Sequence, residues 1–133
     1  YPKTYGPLSP SFARATLAQI DGSALLFLAG TASVVGHATR HVGSAHSQTR
    51  ETLKNIQTLL QHAQDSCDTG SFTDICSAIY KVYVRHERDL GEILKIVADT
   101  PLSLSQPIFL RGDLCRRDLL VEIEAVIPTG SAY

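Results

Sequence analysis

The sequence has no methionine and no tryptophan, only three cysteines, and no excess of charge of either sign. With 13 acidic against 12 basic side chains mixed along the chain, there is no electrostatic footprint for a phosphate backbone or an anionic bilayer. Neither nucleic acid nor a membrane is therefore an expected partner. The longest apolar run, residues 24–29, falls far short of the roughly 20 residues that cross a bilayer. The stretch Tyr1-Pro2-Lys3-Thr4-Tyr5 lacks a signal-peptide pattern, which points to a cytoplasmic protein. Cys67, Cys76 and Cys115 are odd in number and form no C-x-x-C pair, so neither a disulfide framework nor a zinc ribbon is written here, and a reducing compartment fits. The missing initiator methionine leads to one further expectation: an N-terminal part of the same polypeptide precedes these residues.

What is present suits one domain. A chain of 133 residues, 44% of them hydrophobic, buries a single core and is too short for two. Pro2, Gly6, Pro7 and Pro10 mark residues 1–10 as an irregular arm. Strands are predicted over residues 11–19 and 24–29, with Asp21-Gly22 between them as a hairpin turn. Over residues 47–63, Leu53, Ile56, Leu60 and Ala63 recur at helical steps, Leu59 widens the stripe, and Arg50, Glu51, Lys54, Gln57 and Gln61 take the other side. That is an amphipathic helix. Leu90, Ile93, Leu94 and Val97 predict a second helix over residues 89–98. β-Branched and aromatic residues predict a long strand over residues 72–85. Two more strands are predicted at residues 108–115 and 119–126, joined by Arg116-Arg117-Asp118. The order β-β-α-β-α-β-β predicts an α+β fold, a mixed sheet with both helices on one face.

Alternation in the last strand directs Leu119, Val121, Ile123 and Ala125 to the helices and Leu120, Glu122, Glu124 and Val126 away from them. The same count assigns Ile108, Leu110 and Leu114 to the core and Phe109, Arg111, Asp113 and Cys115 to the open face. In the long strand, Ile79, Lys81, Tyr83 and Arg85 share that face, opposite Tyr80, Val82 and Val84. Two readings of this polar face stand: the solvated side of an antiparallel sheet, or a surface closed by another domain or subunit. Closure would bury Glu122 beside apolar neighbours and raise its pKa, which keeps a carboxylic acid protonated for general-acid chemistry near neutral pH.

The segment Ala29-Gly30-Thr31-Ala32-Ser33-Val34-Val35-Gly36-His37, then His41, Gly43, Gln48, Glu51, Thr52 and Asn55, resembles the signature of the chorismatases. So do residues 113–124, which end in Val121-Glu122-Ile123-Glu124, and the opening Tyr5-Gly6-Pro7-Leu8-Ser9-Pro10-Ser11-Phe12-Ala13-Arg14-Ala15. The resemblance covers nearly the whole chain. It implies a fold shared with the trimeric imine deaminases and the small trimeric chorismate mutases, whose open sheet faces meet around an axis, and hence a homotrimer. It also implies two such domains in one chain, with catalysis in the C-terminal one. The substrate would be chorismate, the products pyruvate and a hydroxybenzoate, a precursor of quinone cofactors, aryl pigments and polyketide starter units.

By matched position the resemblance makes Glu122 the catalytic glutamate, which protonates the methylene carbon of the enolpyruvyl ether. It places Cys115 where family members with cysteine form 3-hydroxybenzoate and those with a small residue form a diene diol; release of 4-hydroxybenzoate stays open. Gly30, Thr31, Ala32 and His37 would border the substrate, His37 as a contact or as a structural residue. The substrate's two carboxylates call for guanidinium groups, and Arg85, with Tyr83 beside it, and Arg111 are the candidates, Arg111 equally suited to a cross-strand ion pair. No cofactor motif is visible. His37 and His41, with His46 as a third, have the spacing of metal ligands on a helix, but Gly36 and Gly43 argue for a loop, so no metal is expected. Two rivals remain. An imine deaminase-like hydrolase shares the Val-Glu-Ile-Glu strand but has its substrate-binding arginine where this chain has Ser105-Gln106-Pro107. A binding or assembly module would be inactive without the missing N-terminal domain.

Overall fold

The computed structural model describes residues 2–66 and 77–129. Its elements are β1 (Ala15–Ile20), β2 (Ser23–Ala32), β3 (Val34–Val35), β4 (Ala38–Thr39), α1 (Ala45–Ser66), β5 (Ile79–Val84), α2 (Leu90–Ala98), β6 (Ile108–Arg111) and β7 (Val121–Pro128). Cys67, Cys76 and the first part of the predicted 72–85 strand lie outside the described residues.

Five strands form one sheet in the order β1-β2-β7-β5-β6, and β3 pairs with β4 beside it. The β1–β2 hairpin turns through Asp21 (φ 49°) and Gly22 (φ 79°), the two left-handed residues that an Asp-Gly turn of this length supplies cheaply. Helix α1 starts where the Ser44 hydroxyl accepts a hydrogen bond from Ser47 N at 3.2 Å, an N-cap that sets the first helical residue two positions before the predicted boundary. Both helices pack on one face, as predicted. Leu53, Ile56 and Ala63 of α1 and Ile93 and Val97 of α2 share a core with Leu26, Leu28, Tyr80, Val82, Val121, Ile123 and Ile127. In α2 the stripe is rotated from its prediction: Ile96 packs on the core while Leu94 is exposed.

The C-terminal strands correct the predicted topology. Residues 108–111 and 121–128 do not form a hairpin; β6 runs parallel to β5, and β7 lies antiparallel between β2 and β5. The predicted phase of β6 is therefore reversed. Phe109 stands opposite Val82 and packs on the core, whereas Ile108 and Leu110 are exposed on the open face beside Lys81 and Tyr83. Arg111, opposite Val84, falls on the helix side. Residues 112–120 are neither strand nor helix, so Asp113 and Cys115 sit on a loop rather than on a sheet face.

Candidate active site

Glu122 projects from β7 on the face away from the helices, opposite Ala32 of β2 and Tyr83 of β5. The β2–β7 register shifts by one residue between Leu28 and Thr31, a bulge of the kind that re-aims side chains beside active sites. Gly30 sits in that bulge, and a Cβ there would collide with the Glu122 carboxyl, 2.7 Å from its Cδ and 3.2 Å from its Cγ. Absence of a side chain at Gly30 is thus the space the Glu122 carboxyl occupies. Burial is the largest influence on that carboxyl and pushes its pKa up; the Glu124 carboxylate adds to the rise, and Arg14 opposes it.

The carboxyl opens on a cleft of about 550 Å³. The N-terminal arm supplies an apolar wall of Leu8, Pro10 and Phe12, then Arg14, whose guanidinium lies 4.5 Å from the Phe12 ring centroid. Ala29 N donates to Arg14 O at 3.0 Å, which ties the arm to the bulge. Gly30, Thr31 and Ala32 form the floor, Asn55, Thr58 and Leu59 of α1 a second wall, and Cys115 and Arg116 of the 112–120 loop a third. Asn55 Nδ2 donates to Ala32 O at 3.0 Å and Val34 O at 3.2 Å, closing the end of β2 against α1. The dominant surface is apolar, with a few convergent polar groups, as in small-molecule sites generally.

Of the predicted site residues, Glu122, Cys115, Gly30, Thr31 and Ala32 meet at this cleft. Four others stand elsewhere. His37 is exposed in the β3–β4 turn and uses its carbonyl to accept from Arg116 Nη1 at 2.8 Å. Tyr83 lies next to Glu122 in register, but its hydroxyl donates to Glu124 Oε1 at 2.9 Å, and the same oxygen accepts from Lys81 Nζ at 3.1 Å. Both bonds to Glu124 raise the pKa values of Tyr83 and Lys81. Arg111 is an exposed side chain 4.0 Å from Glu87, on the wrong side of the sheet. Arg85 is corrected most: its guanidinium turns into the 112–120 loop and bonds Asp113 and three backbone carbonyls, leaving little of its fork for a substrate.

Arg14, Phe12 and Arg116 are among the cleft residues that sequence reasoning missed as site residues. Arg14 stood within the matched opening segment, yet no periodicity brings it to Glu122; only pairing of β1, β2 and β7 does. His37 and His41 are not on a helix, since α1 begins at Ala45. His41 lies 3.6 Å from Glu51. No group of three or more His, Cys, Asp or Glu is gathered among the described residues, and no helix among them is long and apolar enough to cross a membrane.

No protein-family profile matches the chain. Over 96% of its length it is 38% identical to a 3-hydroxybenzoate synthase of Streptomyces hygroscopicus, and 36% identical to a chorismatase of Streptomyces rapamycinicus. The chain spans 39% of the length of each of these relatives. A chorismatase crystal structure superposes with a TM-score of 0.82 at 34% identity, covering 96% of this chain and 39% of that one. A member of the YjgF/YER057c/UK114 family from Mycobacterium tuberculosis superposes with a TM-score of 0.61 at 22% identity, covering 87% of this chain and 85% of that one, a likeness of fold alone. With more than a third of its residues shared along nearly all its length and the same fold over the same span, the chain is homologous to a segment of the chorismatases that makes up 39% of their length.

Proposed function

We propose that these residues form the catalytic domain of a chorismatase that divides chorismate into pyruvate and 3-hydroxybenzoate, with Glu122 as general acid. The observation that carries this reading is the Glu122 carboxyl, half-buried, raised in pKa and seated in the side-chain-free space at Gly30. A carboxyl held protonated toward neutral pH is what protonation of an enol ether carbon requires. Proton transfer to the enolpyruvyl methylene makes the ether an oxocarbenium ion, which renders the bond between the ring carbon and the ether oxygen labile. The neighbouring ring hydroxyl oxygen attacks that ring carbon and gives up its own proton, the ether oxygen leaves as the carbonyl of pyruvate, and opening of the resulting epoxide with loss of a ring proton gives 3-hydroxybenzoate. The atoms of chorismate divide between the two products, so the chemistry needs no water and no cofactor.

Arg14 takes the role first assigned to Arg85 and Arg111. It lines the cleft beside Glu122, and a guanidinium suits a carboxylate bidentately. Cys115, at the cleft wall, shapes the space around the ring and biases the product toward 3-hydroxybenzoate. The same protonated ether can release 4-hydroxybenzoate as a minor product.

The open sheet face is covered in the assembled enzyme, by further sequence of the kind its relatives carry or by copies in a homotrimer. Phe27, Ile79, Ile108 and Leu110 are exposed apolar residues spread over that face, more than a solvated surface of one sheet explains. A second reading, that these residues are an assembly module without activity of their own, is favoured by one fact: they span 39% of their relatives.

Incubation with chorismate, chromatography of the aromatic product and an enzymatic pyruvate assay test the first reading. The expected result is 3-hydroxybenzoate with equimolar pyruvate. No pyruvate from the 133 residues but turnover by a longer natural chain selects the module reading, and no pyruvate from either removes both.

A further inference from the structure

The side chain of Arg85 is 12% exposed and leaves β5 for the 112–120 loop. Its Nε donates to Leu119 O at 2.7 Å, and its Nη2 to Leu114 O at 3.0 Å and to Arg116 O at 2.8 Å. Nη1 donates to Asp113 Oδ1 at 2.8 Å. Four of the five N–H groups of the guanidinium are thereby engaged. Three of the four acceptors are backbone carbonyls, so the contact is chiefly with the path of the loop and only at Asp113 with a side chain.

Two of those carbonyls, Leu114 and Arg116, flank Cys115, and Cys115 and Arg116 line the cleft. No ladder supports the loop between β6 and β7. Its ends are fixed by other means: Gly112 N donates to Val84 O at 3.2 Å and Arg85 N donates to Leu120 O at 3.0 Å. Gln48, fully buried, donates to Asp118 O at 2.8 Å and accepts from Leu120 N at 2.8 Å. Arg116 adds a bond of its own to His37 O. The stretch at Cys115 itself is gripped by the guanidinium fork. A lysine could not substitute, because one ammonium on a flexible stem lacks the planar array that reaches four acceptors at once.

We infer that Arg85 is a positioning residue: it fixes the backbone on both sides of Cys115 and so sets where the thiol and the Arg116 side chain stand in the cleft that Glu122 serves. The consequence for product choice rests on the chorismate reading above. The placement of the thiol does not, and is measured without turnover.

Arg85→Lys and Arg85→Ala, made in the intact natural chain, test this. The first readout is the rate of iodoacetamide alkylation at Cys115, followed by mass spectrometry of its own peptide so that Cys67 and Cys76 are separated from it. The second is the product ratio from chorismate. Cys115 is exposed, so its alkylation rate reads the surroundings of the thiol rather than its access to solvent, and in both variants that rate is expected to change by about tenfold, with millimolar guanidinium returning the Arg85→Ala protein toward the wild-type rate. The product ratio is expected to move in both, with kcat falling more than KM rises. A cooperatively melting Arg85→Lys protein with wild-type alkylation and product ratio overturns the inference; if Arg85→Ala does not fold, Arg85→Lys decides alone. Should wild type release no pyruvate, the chorismate reading fails, and the alkylation rates still decide whether Arg85 positions Cys115.

Discussion

On one face of β7, Val121, Ile123, Ala125 and Ile127 are all 4% exposed or less, sealed against the two helices. One residue away on the other face, Glu122 and Glu124 meet Arg14, Tyr83 and Lys81. A single strand thus serves the core with its odd positions and the open face, with Glu122 at the cleft, with its even ones, since the pleat sends successive side chains to opposite faces. The difference teaches that rigidity at the cleft comes from behind it: the carboxyl of Glu122 is aimed by a backbone whose alternate residues are locked in apolar packing. The two faces are expected to fail differently when changed.

Glu122→Gln carries the largest expected effect. It keeps the shape and removes the proposed proton donor, so pyruvate release should fall by about 10²–10⁴-fold, the usual contribution of a general acid, while the melting temperature holds. Wild-type turnover in a folded variant removes Glu122 from the mechanism. On the opposite face, Ile123→Ala should lower stability in urea by about 2–5 kcal/mol through the cavity it leaves, with turnover per folded molecule close to wild type at low temperature. Loss of turnover in protein that is still folded would show that the two faces are less separable than the packing implies.

Arg14→Gln should raise KM for chorismate by about tenfold, as expected for losing a charge-assisted bond to a carboxylate, with kcat changed less. An unchanged KM would return the search for the anchor to other cleft residues. Gly30→Ala is the subtlest. The new methyl meets the end of the Glu122 side chain, which swings aside rather than straining the backbone, so stability should hold. The displaced carboxyl becomes more exposed, and its raised pKa relaxes toward the ordinary carboxyl range. A general acid loses activity as pH rises through its pKa, so the alkaline limb of the pH–rate profile should move to lower pH. A limb that stays in place would detach it from Glu122.

Much of the fold was legible in the sequence. The Asp21-Gly22 turn, the apolar stripe of α1 and the alternation of β7 are local patterns with fixed periods, and each matches the structure. The β6 phase was not legible, because alternation gives two faces without saying which strand is the neighbour. Counting back across residues 112–120 as though they continued a hairpin put Ile108 and Leu110 inside, where the parallel partner β5 puts Phe109. The cleft was half legible. Glu122, Gly30 and Cys115 came from matched segments, but the arginines were assigned by strand face. Arg85 satisfies a loop's carbonyls instead, and Arg14 reaches the cleft from an arm with no periodicity to read.

The fold class, the core face of β7 and the carboxylate that stands away from it follow from local side-chain order and the periods of helix and strand. Packing set the strand order β1-β2-β7-β5-β6, the seat of the Glu122 carboxyl at Gly30, the turn of Arg85 into the 112–120 loop and the place of Arg14 at the cleft. Those depend on contacts between residues far apart in the chain, and which of several polar groups satisfies a given carbonyl or carboxylate is settled only when the packed elements bring them within hydrogen-bond reach.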